Sequence, residues 1–91
     1  MSEIVMIVPE EDPGADRYAA IKVHLRMLGV PPDAIPAWHG GLAVLLMWMA
    51  KKPGYFGNRT TALPNWIKAN NLYVTHDVFS ATYQIKRSIM K

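Results

Sequence analysis

The chain contains no cysteine. That excludes a disulfide framework and any thiolate metal site, and it suits a reducing cytosol. Long hydrophobic runs are also missing. The longest is nine residues, Leu42 to Ala50, whereas a membrane-spanning helix needs about 20. The N-terminus lacks the basic start and extended apolar stretch of a signal peptide, because Ile4 to Val8 is short and Glu3 precedes it. These absences predict a cytoplasmic protein without a membrane span. Motifs for chemistry are missing as well. Gly54 to Gly57 is not followed by the Lys-Ser/Thr of a phosphate-binding loop. His24, His39 and His76 are widely separated, and no pair has the i, i+4 spacing of a helical metal site. His24 reads as a helix-surface residue and His39, beside Gly40 and Gly41, as a loop residue. His76 and Asp77 are neighbours and Ser80 follows four residues later, but nothing supplies an oxyanion hole. The expectation is a protein that is not an enzyme and holds no cofactor or metal.

Charge of one sign is scarce at each end. The first 16 residues hold five acids and no Lys or Arg, and the last 41 hold seven bases and one acid, Asp77. The net charge of +3 conceals this polarity. With 91 residues, 51% of them hydrophobic, and three Trp, four Tyr and two Phe, the chain has material for one folded domain and no room for a second core.

Ile4 to Val8 is a β-branched apolar run closed by Pro9, and it predicts one short strand or extended segment. Such a strand needs a partner for its backbone, either near Leu72 to Val74 or in a second copy of the chain. Residues 1–15 therefore read as an extended acidic N-terminal segment, with Glu10 to Gly14 as a solvated turn. Tyr18, Ile21, Leu25 and Leu28 recur at helical spacing, so a helix is expected over Asp16 to Leu28 with Gly29 ending it. Pro31, Pro32 and Pro36 mark a connector, within which Asp33 would cap a single helical turn. Leu42 to Lys52 is a helix apolar on every side, hence buried or covered by a partner. Thr60 to Asn71 reads as a third helix, with Pro64 in its first turn and Asn70-Asn71 able to take the left-handed backbone that stops it. Thr75 then caps a fourth helix to Lys91. In it Val78, Ala81, Ile85 and Ile89, widened by Phe79, form an apolar stripe beside a polar one of His76, Ser80, Gln84, Arg87 and Lys91. The fold class expected is mainly α: a small four-helix domain with one N-terminal strand.

Two short helices joined by a turn at 71–74 have the order of a helix-turn-helix. The stretch from Leu42 through Ile89 resembles the three-helix core of winged-helix and related helix-turn-helix proteins: an apolar helix ending in Lys51-Lys52-Pro53-Gly54, a short helix, then a polar-headed recognition helix. It differs in having bulky Trp66 and Ile67 in place of the usual small residue, and in leaving no length for a C-terminal wing. The resemblance implies DNA binding, most simply to duplex. Gln84 and Arg87 would read adenine and guanine, and His76 and Ser80 would reach bases or phosphate. Lys51, Lys52, Arg59, Lys68 and Lys91 would contact phosphates.

Bland readings exist for the same residues. A polar stripe beside an apolar one suits any amphipathic surface helix, and bases at a helix C-terminus offset its dipole. The alternative function is a protein-binding adaptor, inhibitor or structural subunit of the phage assembly-factor kind, which oligomerises or docks an acidic protein. Tyr55 and Phe56, in a glycine-flanked loop, would be its partner-binding knob, with Trp66 and Phe79 in the core. The acidic N-terminal segment could neutralise the basic face, within one chain or between copies.

Overall fold

The computed structural model describes residues 2–11, 13–51 and 62–88. The order of elements is β1 (Ser2–Pro9), α1 (Ala15–Leu28), a 3₁₀ turn (Pro32–Ala34), α2 (His39–Lys51), α3 (Ala62–Ala69), β2 (Leu72–Asp77) and β3 (Thr82–Ser88). The strands form one antiparallel sheet in the order β1-β3-β2. This is an α+β fold, and it overturns the expectation of a mainly α, four-helix domain with a single N-terminal strand. The fourth helix, and with it the recognition helix of a helix-turn-helix, is a β-hairpin.

The reason is visible in the alternation of side chains. In β2, Leu72 and Val74 are buried while Tyr73 is not, and in β3, Tyr83 and Ile85 are buried between Thr82, Gln84 and Lys86. Residues two apart share one face of a strand, so each strand offers one apolar face to the helices. β1 supplies the tertiary cause. It pairs along its length with β3, Met6 opposite Ile85 and Val8 opposite Tyr83, so its backbone partner is the strand beyond Leu72–Asp77 rather than that segment itself. An irregularity between Ile4 and Met6 shifts the register by one residue. Ile4 and Ile7 therefore both lie on the outer face with Gln84 and Lys86, while Met6 and Val8 enter the core.

The helices follow local chemistry more closely. α1 ends at Leu28 because Gly29 takes φ 106°, and the Gly29 and Val30 N–H groups donate to the carbonyls of Arg26 and Leu25. α3 ends where Asn71 adopts φ 58°, and the Asn70 side chain donates to the Trp66 carbonyl at 2.8 Å. Pro64 stands in its first turn. α2 begins three residues before Leu42, at His39, and buries His39, Leu42, Leu45, Leu46 and Met49. It packs on β2 and β3 beside α3. Leu42, Leu46, Leu63, Leu25, Val8 and Ile85 are the most deeply enclosed side chains. Trp66 packs partly buried against this core, whereas Phe79 stands outside it. Among the described residues no helix is long and apolar enough to cross a membrane.

Candidate functional site

The hairpin that replaces the expected recognition helix turns at Val78 to Ala81. No glycine or proline makes this turn. Asp77 does so through its carboxylate: Oδ1 accepts the N–H of Phe79 at 3.1 Å and that of Ser80 at 3.4 Å. Ala81 takes a left-handed φ of 54°, and its N–H donates to the Val78 carbonyl at 3.3 Å. Ser80 Oγ and Thr82 Oγ1 share a hydrogen bond at 2.7 Å. From outside the hairpin, the Glu10 N–H donates to the Ala81 carbonyl at 3.0 Å. Gln84 Nε2 braces the second carboxylate oxygen, Asp77 Oδ2, at 3.2 Å.

On this pinned turn sit Val78, 74% exposed, and Phe79, fully exposed. Neither belongs to the core cluster. A scattered surface apolar residue needs no explanation, but two in sequence at the apex of a hydrogen-bonded turn form a projecting apolar knob.

Hydrogen bonding by the Ser80 side chain, then by its backbone N–H, holds the Asp77 carboxyl below its ordinary value. Slight desolvation opposes this, and the Phe79 N–H and the Lys86 charge add to it. The stabilisation of the turn is therefore complete above the unfolded carboxylate value of about 3.9 and is lost as pH falls through the depressed folded value. Amide exchange at Phe79 and Ser80, corrected for its intrinsic pH dependence, is expected to stay protected at neutral pH and to lose protection only in that acidic window. Asp77→Asn should remove the transition.

The polar residues expected to read DNA do not converge. Gln84 lies on the outer face of the sheet, while Arg87 shares the other face with Tyr83 and Ile85. Arg87 Nη1 donates to Glu3 Oε1 at 3.3 Å. His76 Nε2 lies 3.1 Å from Glu10 Oε1, with its ring stacked on Tyr83 at 4.9 Å between centroids. Ser80 is in the turn. Lys51 ends α2 and Lys68 stands exposed on α3. Lys52, Arg59 and Lys91, and the Tyr55-Phe56 loop, lie outside the described residues. The acidic N-terminal segment thus meets the hairpin within one chain, Glu3 at Arg87 on β3 and Glu10 at His76 on β2. Among the described residues no three His, Asp or Glu side chains cluster as a metal-ion site.

His39 is a second correction. It is not in a loop; it opens α2 and is 2% exposed. Its Nε2 lies 3.1 Å from the Pro9 carbonyl. A carbonyl only accepts, so this nitrogen carries the proton. The ring meets Tyr18 edge-on at 5.6 Å. The Tyr18 hydroxyl in turn donates to the Pro36 carbonyl, and burial pushes its pKa up. The phenol therefore stays a neutral donor and clamps the proline-rich connector to α1.

Between that connector and α1 lies an open groove of about 330 Å³. Ala19, Val23, Pro32 and Ile35 give it apolar walls, and Lys22 and Arg26 give it a basic rim. Val23 is 55% exposed. Sequence reading missed both knob and groove. The signals for the knob were the two-residue alternation of Leu72 and Val74, then of Tyr83 and Ile85, with Asp77 before the apex. The signal for the groove was the three-proline connector, whose rigidity holds a wall away from the helix.

The class defined by the fold is a small two-layer α+β domain, with helices α2 and α3 against one face of a three-stranded antiparallel sheet. Compared with known proteins, the chain matches no family model, no curated protein and no solved structure.

Proposed function

We propose that this protein is a non-enzymatic protein-interaction module that docks through the Val78-Phe79 knob. The observation that carries this reading is a fully exposed Phe79 on a turn whose N–H groups donate to Asp77 Oδ1 and whose Ala81 carbonyl accepts the Glu10 N–H. Interface energy concentrates in a few anchors, aromatic ones prominent among them. An anchor already fixed in its bound geometry avoids the ordering cost of binding, about 0.5–1.5 kcal/mol for each flexible side chain that must be immobilised. The hydrogen bonds of the turn fix the backbone that carries Phe79, so a partner has to order the ring but not the turn.

The charge pattern favours the same reading over nucleic acid. Phosphate recognition needs cations that converge on one surface. Here Arg87 and His76 face Glu3 and Glu10, and Gln84 is spent on Asp77.

The test is a photo-crosslinking residue at position 79 of the full chain in the cells that produce it, with the same residue at exposed position 70, just past the end of α3, as control. Discrete protein adducts at 79 that are absent at 70, and that disappear when Val78→Asp is added, are expected. Failure of position 79 to yield any protein adduct would overturn the reading. So would binding of the purified chain to a random DNA duplex at about 50 mM salt that Arg87→Glu abolishes.

A further inference from the structure

We infer that the occupant of the knob is the groove of a second copy of this chain, so that the protein assembles head to tail. This rests on the docking role proposed for Val78-Phe79 and names its partner.

Three observations carry it. The first is shape. The knob offers one aromatic ring and one β-branched side chain, and the groove between α1 and the connector is an open, apolar-walled cleft of about 330 Å³. Clefts that bind small molecules span about 300–1,000 Å³, so this one has room for little more than a few side-chain groups. The second is charge. The carboxylates at the knob are those of Asp77, which caps its turn, and of Glu10, hydrogen-bonded through its N–H to the Ala81 carbonyl; exposed Glu11 follows in the chain. The groove is rimmed by Lys22, whose Nζ stands 5.2 Å from the Tyr18 ring centroid, and by Arg26. An acidic collar around an apolar knob therefore meets a basic rim around an apolar cleft. The third is exclusion of the alternative within one chain. Phe79 is fully exposed, so the knob does not fill the groove of its own molecule.

Knob and groove are different surfaces, so the contact is heterologous. It leaves one free knob and one free groove after every addition, and it grows into an open chain or closes as a ring. Both walls of the groove are fixed before assembly, α1 by its Leu25 anchor in the core and the connector by the Tyr18–Pro36 hydrogen bond. The collar–rim attraction acts between solvent-exposed groups, so it should be screened by salt.

The experiment is sedimentation velocity on the purified full chain. The average mass is expected to rise with concentration beyond a dimer at about 50 mM salt and to fall at about 500 mM. Phe79→Asp removes the knob and Val23→Asp spoils the groove; both positions are exposed. Each variant alone is expected to be monomeric, with self-association weakened by about thirtyfold or more. Mixed, they should form a capped one-to-one heterodimer, because the first keeps its groove and the second its knob. Circular dichroism confirms that both are folded, and Lys22→Glu with Arg26→Glu gives a second route to the weakened groove. A wild-type chain that is monomeric throughout overturns the inference. So does a closed wild-type dimer whose two variants fail to complement. Crosslinks from position 79 to a different protein, with no self-association, overturn this inference while leaving the docking role of the knob intact.

Discussion

Replacing Ile85 with alanine is expected to lower the unfolding free energy by about 2–5 kcal/mol. β3 is the central strand, and Ile85 lies in its middle, opposite Met6 on β1 and Val74 on β2. It is 1% exposed. Truncation removes three carbons from a point where both flanking strands and the α2 layer meet, and neighbours held by two hydrogen-bonded ladders cannot collapse into the space. A domain this small has a total stability of about 5–15 kcal/mol, so the loss consumes a large share of it. Urea unfolding followed by tryptophan fluorescence measures it. Ile85→Val should cost only about 0.5–1.5 kcal/mol. The contrast with Ile4→Ala is the sharper check. Ile4 lies on the same sheet but on its outer face and is half exposed, so its truncation should fall within about 0.5 kcal/mol, as for surface positions generally. Equal costs at the two sites would contradict the assignment of faces.

Those faces were the part of the fold least legible in the sequence. α1 was legible because its apolar spacing, its acid in the first turn and the glycine beyond its end agree, and Asp16 to Leu28 differs from the observed Ala15–Leu28 by one residue. Asn71 was legible for the same reason: a residue tolerant of positive φ stands where the helix must stop. The hairpin was not. Val78, Ala81 and Ile85 fall at helical spacing by coincidence, and each strand holds only two buried alternating residues from which to read a period of two. The turn between them has no glycine, proline or Asn-Gly pair. Its signal was a single aspartate, whose capping of two N–H groups can only be recognised once the strands are known. Long-range pairing then decided the outcome, since β3 satisfies the backbone of β1 as well as that of β2. The error propagated to the site. His76, Ser80, Gln84 and Arg87 form one stripe on a helix, but a hairpin distributes them over two faces and a turn. Phe79, assigned to an apolar stripe and the core, is the most exposed large hydrophobic side chain among the described residues.

His39→Leu is expected to cost about 1–3 kcal/mol, the penalty for leaving a buried hydrogen-bonding group without its partner. His39 is enclosed between the start of α2 and the end of β1, and its ring N–H is held 3.1 Å from the Pro9 carbonyl. Leucine keeps most of the volume and the contact with Tyr18 but donates nothing. Alanine adds a cavity to the lost bond and should cost about 3–5 kcal/mol. Glutamine carries its donor at a similar reach, so His39→Gln should retain more stability than leucine despite being the more polar residue. A leucine variant as stable as wild type would show that the Pro9 contact contributes nothing. The consequence extends to the knob. Pro9 pairs with Thr82 at the root of the turn, and the next residue, Glu10, holds the Ala81 carbonyl. His39 is therefore a polar link, beside the packing of Met6 and Val8, between the helical layer and the strand that braces Phe79. In the leucine variant, amide protection at Glu10 and Ala81 should fall more than protection in α1. If the knob binds because it is held in place, its affinity should fall with them although Phe79 itself is unchanged.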